Sequence, residues 1–195
     1  DPIYDFFPEW RNMKKYVKQP NGYVNAVATD GPITVSDVLS MKCGLPYCHS
    51  AAPTENRTLQ SMQEAMKPLW EKGHYTNREQ IAAISNAVLA CEPGTEWIYG
   101  FSSELAAGII EAVCGKSIDD VFEEMLFAPL GMQDTRSHFF GDIPERMVTL
   151  YRKAPDGKLC PSPSELDLKH LPGPEHEAGW ARLFSNVQDF SKLMQ

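Results

Sequence analysis

Apolar residues recur every three or four positions along most of this chain, the spacing of amphipathic helices; two short stretches break toward an extended pattern. The first ten residues carry Ile3, Phe6, Phe7 and Trp10, an apolar turn that needs a surface to cover it. Tyr23 to Ala28 lies between the turn signals Asn21-Gly22 and Asp30-Gly31-Pro32 and reads as a short extended segment. Thr34 to Met41 predicts a helix with Val35, Val38 and Leu39 on one face and Thr34 as N-cap, Asp37 following three residues later; Gly44 and Pro46 stop it. Leu59, Met62, Met66, Leu69 and Trp70 predict another, which Pro68 should kink or end because proline removes a backbone donor. Asn77 with Gln80 resembles a capping box opening a helix through Ile81, Ile84 and Val88, and Pro93-Gly94 closes that segment.

The second half repeats the rhythm. Phe101, Leu105, Ile109 and Val113 form one stripe, with Ile110 beside it, Ser102 or Ser103 as cap and Gly115 at the C-terminal left-handed position. Ser117 then caps a helix carrying Ile118, Val121, Phe122, Met125 and Leu126 inward; Asp119 and Asp120 suit its positive end, and Pro129 and Gly131 end it. Met147 to Arg152, Pro155-Asp156-Gly157 and Lys158 to Cys160 predict a β-hairpin. Four prolines in 161–179 mark a long loop, and Ser185 with Gln188 caps a last helix bearing Val187, Phe190, Leu193 and Met194. The fold class is therefore mainly α, in the α+β sense, with a few short strands and one hairpin. No strand–helix alternation supports a doubly wound sheet.

Composition narrows the class. The chain has 195 residues, 43% hydrophobic and 23% charged, which excludes full disorder and suffices for one core without staples. No apolar run approaches the roughly 18 residues of a membrane-spanning helix. The net charge of −8, from 26 acids and 18 bases, argues against nucleic acid as a partner. Lys14, Lys15 and Lys18, the densest basic cluster, read as a solvated edge. Cys43, Cys48, Cys91, Cys114 and Cys160 are odd in number and irregular in spacing, a poor disulfide framework that favours free thiols and a reducing, cytoplasmic compartment. Cys48-His49 is too lone a pair for zinc, and His170 and His176 read as solvated, so neither a metal nor a cofactor is expected.

Self-contained catalytic motifs are missing. Gly-x-Ser-x-Gly, the P-loop, Gly-x-Gly-x-x-Gly, His-Glu-x-x-His, Ser-x-x-Lys and Lys-Thr-Gly do not occur. Spacing alone leaves a Ser–His–Asp triad open. One stretch stands out: Glu92-Pro-Gly-Thr-Glu-Trp-Ile-Tyr99-Gly-Phe-Ser102, a Pro-Gly turn that delivers Trp97 and Tyr99 to the start of an amphipathic helix. A tyrosine there serves as acid or base if its usual pKa of about 10 is lowered by neighbours. The same residues also read as packing anchors with a hydrogen-bonded polar tip, and the residues alone weigh toward packing.

These blocks carry a resemblance. Glu92 to Tyr99, then Leu105 through Gly108-Ile-Ile-Glu-Ala-Val-Cys-Gly-Lys-Ser117, then Phe127-Ala-Pro-Leu-Gly-Met-Gln-Asp-Thr135 resemble the serine β-lactamase-like family, the group of class C β-lactamases, penicillin-binding proteins and esterases. Asp1-Pro2 with Phe7-Pro-Glu-Trp10, Ile33-Thr34 through Gly44-Leu45-Pro46, and Gly179 to Leu193 resemble further segments of that family in the same order. The resemblance implies an internal fragment, a single partial domain over 1–195 that covers mainly the helical lobe. The family's Ser-x-x-Lys segment would precede Asp1, and its strand bearing Lys-Thr-Gly or a variant would follow Gln195.

Tyr99 matches the tyrosine of the family's Tyr-x-Asn motif, which works with the lysine in proton transfer at the nucleophile. Phe101 occupies the substrate-binding Asn position, where it cannot hydrogen-bond a substrate amide; this departure suits an esterase-like or peptidase-like relative better than a β-lactamase. The family's His-x-Ser before Gly-Leu is here Met41-Lys42-Cys43. The implied parent forms an acyl-serine from small β-lactams, esters or D-amino-acid peptides, while the segment alone is inactive for lack of a nucleophile. Two other readings compete: a binding module that kept the fold without the chemistry, and an unrelated helical interaction domain. Exposed apolar ends are expected to drive self-association. Many relatives are exported, which sets family against thiols on the compartment.

Overall fold

The computed structural model describes residues 1–48, 50–161 and 183–195. Two 3-10 turns, Ile3–Asp5 and Pro8–Asn12, open the chain and are followed by β1 (Lys14–Lys18) and β2 (Val24–Ala28). Next come α1 (Val35–Leu39), α2 (Arg57–Lys72), α3 (Asn77–Ile84) and the two-residue β3 (Val88–Leu89). The second half holds α4 (Ser102–Cys114), α5 (Ile118–Phe122), a π-helical turn (Glu123–Phe127), α6 (Ala128–Leu130), α7 (Ile143–Arg146), β4 (Tyr151–Lys153), β5 (Leu159–Pro161) and α8 (Val187–Leu193). None of the described helices is long and apolar enough to cross a membrane. The expected loop over 161–179, with His170 and His176, lies almost wholly outside the described residues, as does His49.

The apolar first turn finds its cover. Ile3, Phe7 and Trp10 are each about 1% exposed and join Ile33, Met62, Met66, Ile81, Ile84, Leu105 and Ile109 in the core. Gly108 allows that packing: a Cβ there would sit 2.2 Å from Ile81 Cδ1 and 3.2 Å from Phe7 Cζ. The N-terminal end is thus no exposed apolar patch, whereas α8 does present Val187, Phe190 and Met194 to solvent.

The basic cluster read as a solvated edge is a strand. β1 runs antiparallel to β2, with Lys14 opposite Ala28 and Lys18 opposite Val24, and parallel to β3, with Lys15 beside Leu89. Lys15 is only 14% exposed and pairs with Asp30 and Glu92, which the local sequence did not announce. Val88, assigned by period to a helix, belongs to β3; its N–H donates to Ser61 Oγ at 3.0 Å. Pro68 neither ends nor interrupts α2, because it lies on the exposed side, where the carbonyl it leaves unpaired meets water. Leu39, Val113 and Met125, expected to face inward, are exposed.

The expected capping box of α1 forms: Thr34 accepts from the Asp37 N–H and the Asp37 carboxylate accepts from the Thr34 N–H. The expected hairpin forms too, with Tyr151 opposite Pro161. Two other caps are displaced by one residue. Thr76 and Glu79, not Asn77 and Gln80, close the box of α3, and Asn186, not Ser185, caps α8. At α4 neither Ser102 nor Ser103 caps; Phe101 holds the N-cap position without a side-chain bond.

A carboxylate network docks α8. Asp189, 3% exposed, accepts from the Asp134 N–H (2.7 Å) and Thr135 Oγ1 (3.1 Å) and pairs with Lys192 (3.1 Å). Asp134 takes both Arg146 nitrogens, at 2.7 and 2.8 Å, and Asn186 Nδ2. Burial works to raise the Asp189 carboxyl, but those bonds outweigh it and hold it below its ordinary value; Arg146 does the same for Asp134. A carboxyl depressed by folding stabilises fully above its unfolded pKa and loses that contribution as the pH falls through the folded one. Acidification below about pH 4 is therefore expected to release α8 before the core loosens. Hydrogen exchange would show amides 187–193 losing protection ahead of those in α3 and α4; simultaneous loss would contradict it.

Candidate active site

The segment from Cys91 to Phe101 is pinned at both ends and along its length. At its start, Glu92 Oε1 accepts from the N–H groups of Asp30 (2.9 Å) and Gly31 (3.1 Å), while Oε2 meets Lys15 Nζ at 2.5 Å. Hydrogen bonds to Asp30 and Glu92 raise the Lys15 pKa, so this cation holds its charge across the working pH range. Gly94 turns the chain with φ +80° and donates to the Lys42 carbonyl at 2.9 Å. Ile98 N–H donates to the Met41 carbonyl at 2.9 Å, and Met41 has φ +56°, the one described non-glycine in the left-handed region. Gly100 bridges Pro46, and Phe101 N–H donates to the Leu45 carbonyl at 3.1 Å.

Clamped this way, Tyr99 emerges at the mouth of α4. It is 57% exposed and its ring stacks on the Trp97 ring, centroids 6.2 Å apart, with Trp97 itself 64% exposed. Phe101 turns the other way: it is 2% exposed and packs in the core with Val38, Leu45 and Leu105. Its side chain thus forms part of the wall behind the site, and its backbone, not its ring, ties the segment down.

A second tyrosine lies here that the sequence reading did not single out. The Tyr47 ring meets the Tyr99 ring edge-on, centroids 5.0 Å apart at 75°, and its hydroxyl is 3.3 Å from Ser103 Oγ. Burial pushes the Tyr47 phenol up, the Ser103 hydroxyl opposes that, and the hydrogen bond with Tyr99 and the nearby Glu104 carboxyl add to the rise. The only local signal was an aromatic directly after the Gly-Leu-Pro stop, which is indistinguishable from a packing residue.

The two thiols nearest Tyr47 in sequence, Cys43 and Cys48, are unsuited to attack. Burial pushes Cys43 up to about 12, partly offset by a Ser102 hydrogen bond, and pushes Cys48 up to about 11, so neither forms the reactive thiolate near neutrality. Among the described residues no three metal-binding side chains converge. Ser137, His138 and Asp119 do come together, but His138 Nδ1 faces both Ser137 Oγ (3.1 Å) and Asp119 Oδ2 (3.0 Å), and Ser137 contacts Asp119 directly. A relay needs the two ring nitrogens to face acid and nucleophile separately, so this cluster fastens 137–138 to α5 rather than activating the serine.

Against known proteins, the Beta-lactamase family matches residues 1–195. The chain belongs to the beta-lactamase family. Among curated relatives, protein Rv1367c of Mycobacterium tuberculosis is 21% identical over 164 residues, 84% of this chain and 38% of that protein. Monacolin J acid methylbutanoyltransferase of Aspergillus terreus is 26% identical over 106 residues, 53% of this chain and 23% of that protein. The solved structure of EstCE1, a hydrolase with promiscuous acyltransferase activity, superposes with a TM-score of 0.70 at 18% identity, over 99% of this chain and 50% of that one. This beta-lactamase-family chain thus spans less than two fifths of those curated relatives and about half of the solved one. The fold is beta-lactamase-like, with few strands among its helices.

Proposed function

We propose that residues 1–195 are the Tyr99-bearing, mainly helical part of a serine acyl-transfer enzyme whose nucleophilic serine and partner lysine lie outside this segment. Tyr99 is the proton-transfer residue. In the assembled enzyme the Tyr99 oxygen, working with the partner lysine, takes up the proton of the attacking serine as the serine oxygen bonds to the acyl carbonyl carbon. It then returns that proton to the departing alcohol or amine, leaving the acyl-serine. The observation that carries this is the exposed Tyr99 tip on a segment fixed by backbone bonds to Met41, Leu45 and Pro46. A proton shuttle must be both reachable and rigidly held, and a packing anchor would be covered.

The substrate class follows from Phe101. With an apolar ring turned into the core, no carboxamide stands two residues after the tyrosine to grip an amide, which favours small esters over β-lactams. The names of two relatives, a methylbutanoyltransferase and a hydrolase with acyltransferase activity, support acyl transfer as the chemistry.

The test is covalent labelling followed by intact mass and peptide mapping. With a fluorophosphonate probe, the 195-residue chain is expected to take no adduct, and the full reading frame to take one on a serine of a Ser-x-x-Lys segment beyond these residues. A stable adduct on a serine within 1–195 overturns the proposal. A full reading frame without Ser-x-x-Lys does so too, in favour of a binding module that kept the fold.

A further inference from the structure

From the geometry around Tyr99 we infer that Tyr47 is a positioning residue of the same site: its hydroxyl, held by Ser103, donates to the Tyr99 oxygen and orients it for proton transfer. This rests on the reading of Tyr99 above. Two contacts support it. The Tyr47 and Tyr99 rings meet edge-on at 5.0 Å, which fixes the second ring against the first. Ser103, in the first turn of α4, lies 3.3 Å from the Tyr47 hydroxyl. Tyr99 also raises the pKa of the Tyr47 phenol, as a hydroxyl lying close to it does.

The direction of the chain of bonds follows from its surroundings. Burial is the largest influence on the Tyr47 phenol, and Tyr99 and the buried Glu104 carboxyl, at 1% exposed, are the titratable groups that add to it. Tyr99 reaches solvent, and Tyr47 is half-covered. Burial and these neighbours keep the Tyr47 proton in place, so Tyr47 is the donor of the pair. Ser103 O–H then donates to Tyr47 and Tyr47 O–H to Tyr99, each bond polarising the next. No bond to carbon forms or breaks at Tyr47, and its proton stays on it throughout.

Tyr47→Phe removes the hydroxyl and keeps the ring contact, so it separates orientation from packing. In the full-length protein acting on p-nitrophenyl butyrate, it is expected to lower kcat about tenfold, the size of one hydrogen bond made in the transition state. KM should stay within about twofold, and the rising limb of the kcat–pH profile should move to higher pH. Ser103→Ala should shift the same limb in the same direction by less, and it tests the chain from its other end should Tyr47→Phe fold poorly. Wild-type kcat and an unmoved limb in Tyr47→Phe, beside an inactive Tyr99→Phe, overturn the inference and leave the proposed function standing. A rise in KM with an unmoved limb also overturns it, making Tyr47 a substrate contact. Full activity in Tyr99→Phe overturns the proposed function instead.

Discussion

Among the described glycines, Gly100→Ala is expected to be the most damaging substitution. A Cβ at this position would lie 2.3 Å from the Leu45 carbonyl oxygen and 2.5 Å from two Pro46 backbone atoms. Those neighbours are main chain, not the ends of flexible side chains. Relief therefore requires the 45–46 and 100–101 segments to separate, which breaks the Pro46–Gly100 bridge and the bond from Phe101 N–H to the Leu45 carbonyl. Overpacking of this kind costs about 3 kcal/mol, at the upper end of the usual range because backbone cannot rotate away. For a chain of this size that lowers Tm by roughly 6–12 °C. Gly31→Ala, with nothing within 4 Å of its Cβ and no positive φ, is the matched control and should melt with the parent. Because Tyr99 precedes Gly100, the same change should also blur the near-ultraviolet circular dichroism of the Trp97–Tyr99 pair. Equal melting of Gly100→Ala and Gly31→Ala would contradict the close approach.

Tyr99→Phe is expected to have the largest effect on activity and almost none on stability. The ring is 57% exposed and stacks on Trp97, a contact phenylalanine preserves. Only the hydroxyl is lost. In the full-length enzyme kcat for a small ester should fall on the order of 10²- to 10⁴-fold, the range for removing a positioned general acid–base group. KM should change little, since the hydroxyl acts on the proton in flight and not on the bound ester. Tm should stay within about 2 °C. Activity within a few-fold of the parent would mean that the tyrosine is a surface anchor after all.

How far the fold was legible can be judged from the caps. Thr34-x-x-Asp37 is legible because Thr34 is flanked by Ile33 and Val35, so no second cap candidate stands next to it. At α3, Thr76-Asn77 and Glu79-Gln80 offer two overlapping boxes, and the sequence does not rank them. Tertiary contacts do: Asn77 is buried and donates through Nδ2 to the Glu104 carbonyl at 3.2 Å, while Glu79 reaches Lys72 at 2.7 Å. The same holds at α8, where the Ser185 hydroxyl is 2.8 Å from Thr135 and Asp189 is drawn inward by the Asp134 N–H. Long apolar periods were secure because they report burial of a whole face. Single inward positions such as Val113 and Met125 were not, since one helical stripe is wider than the surface that covers it.

The strand β1 escaped for a related reason. Lys14-Lys15-Tyr16-Val17-Lys18 carries charge on both faces, and its pairing partners lie about ten residues away at β2 and about seventy at β3. The Asp30 and Glu92 carboxylates, the second arriving from a distant turn, give Lys15 a reason to point inward.

By itself, the order of residues determined the run of helices, the hairpin, the lack of a self-contained nucleophile motif and the family, all of which are written in local pattern and ordered blocks. What only the tertiary structure decided is which face each of these residues shows: that Phe101 turns into the core, that Tyr99 stands out beside Trp97, and that Tyr47 sets its ring edge-on to Tyr99 and its hydroxyl against Ser103, more than fifty residues away. The physical reason is that orientation at a loop–helix junction is set by backbone bonds from another segment, here 41–46, and no window of neighbouring residues contains that partner.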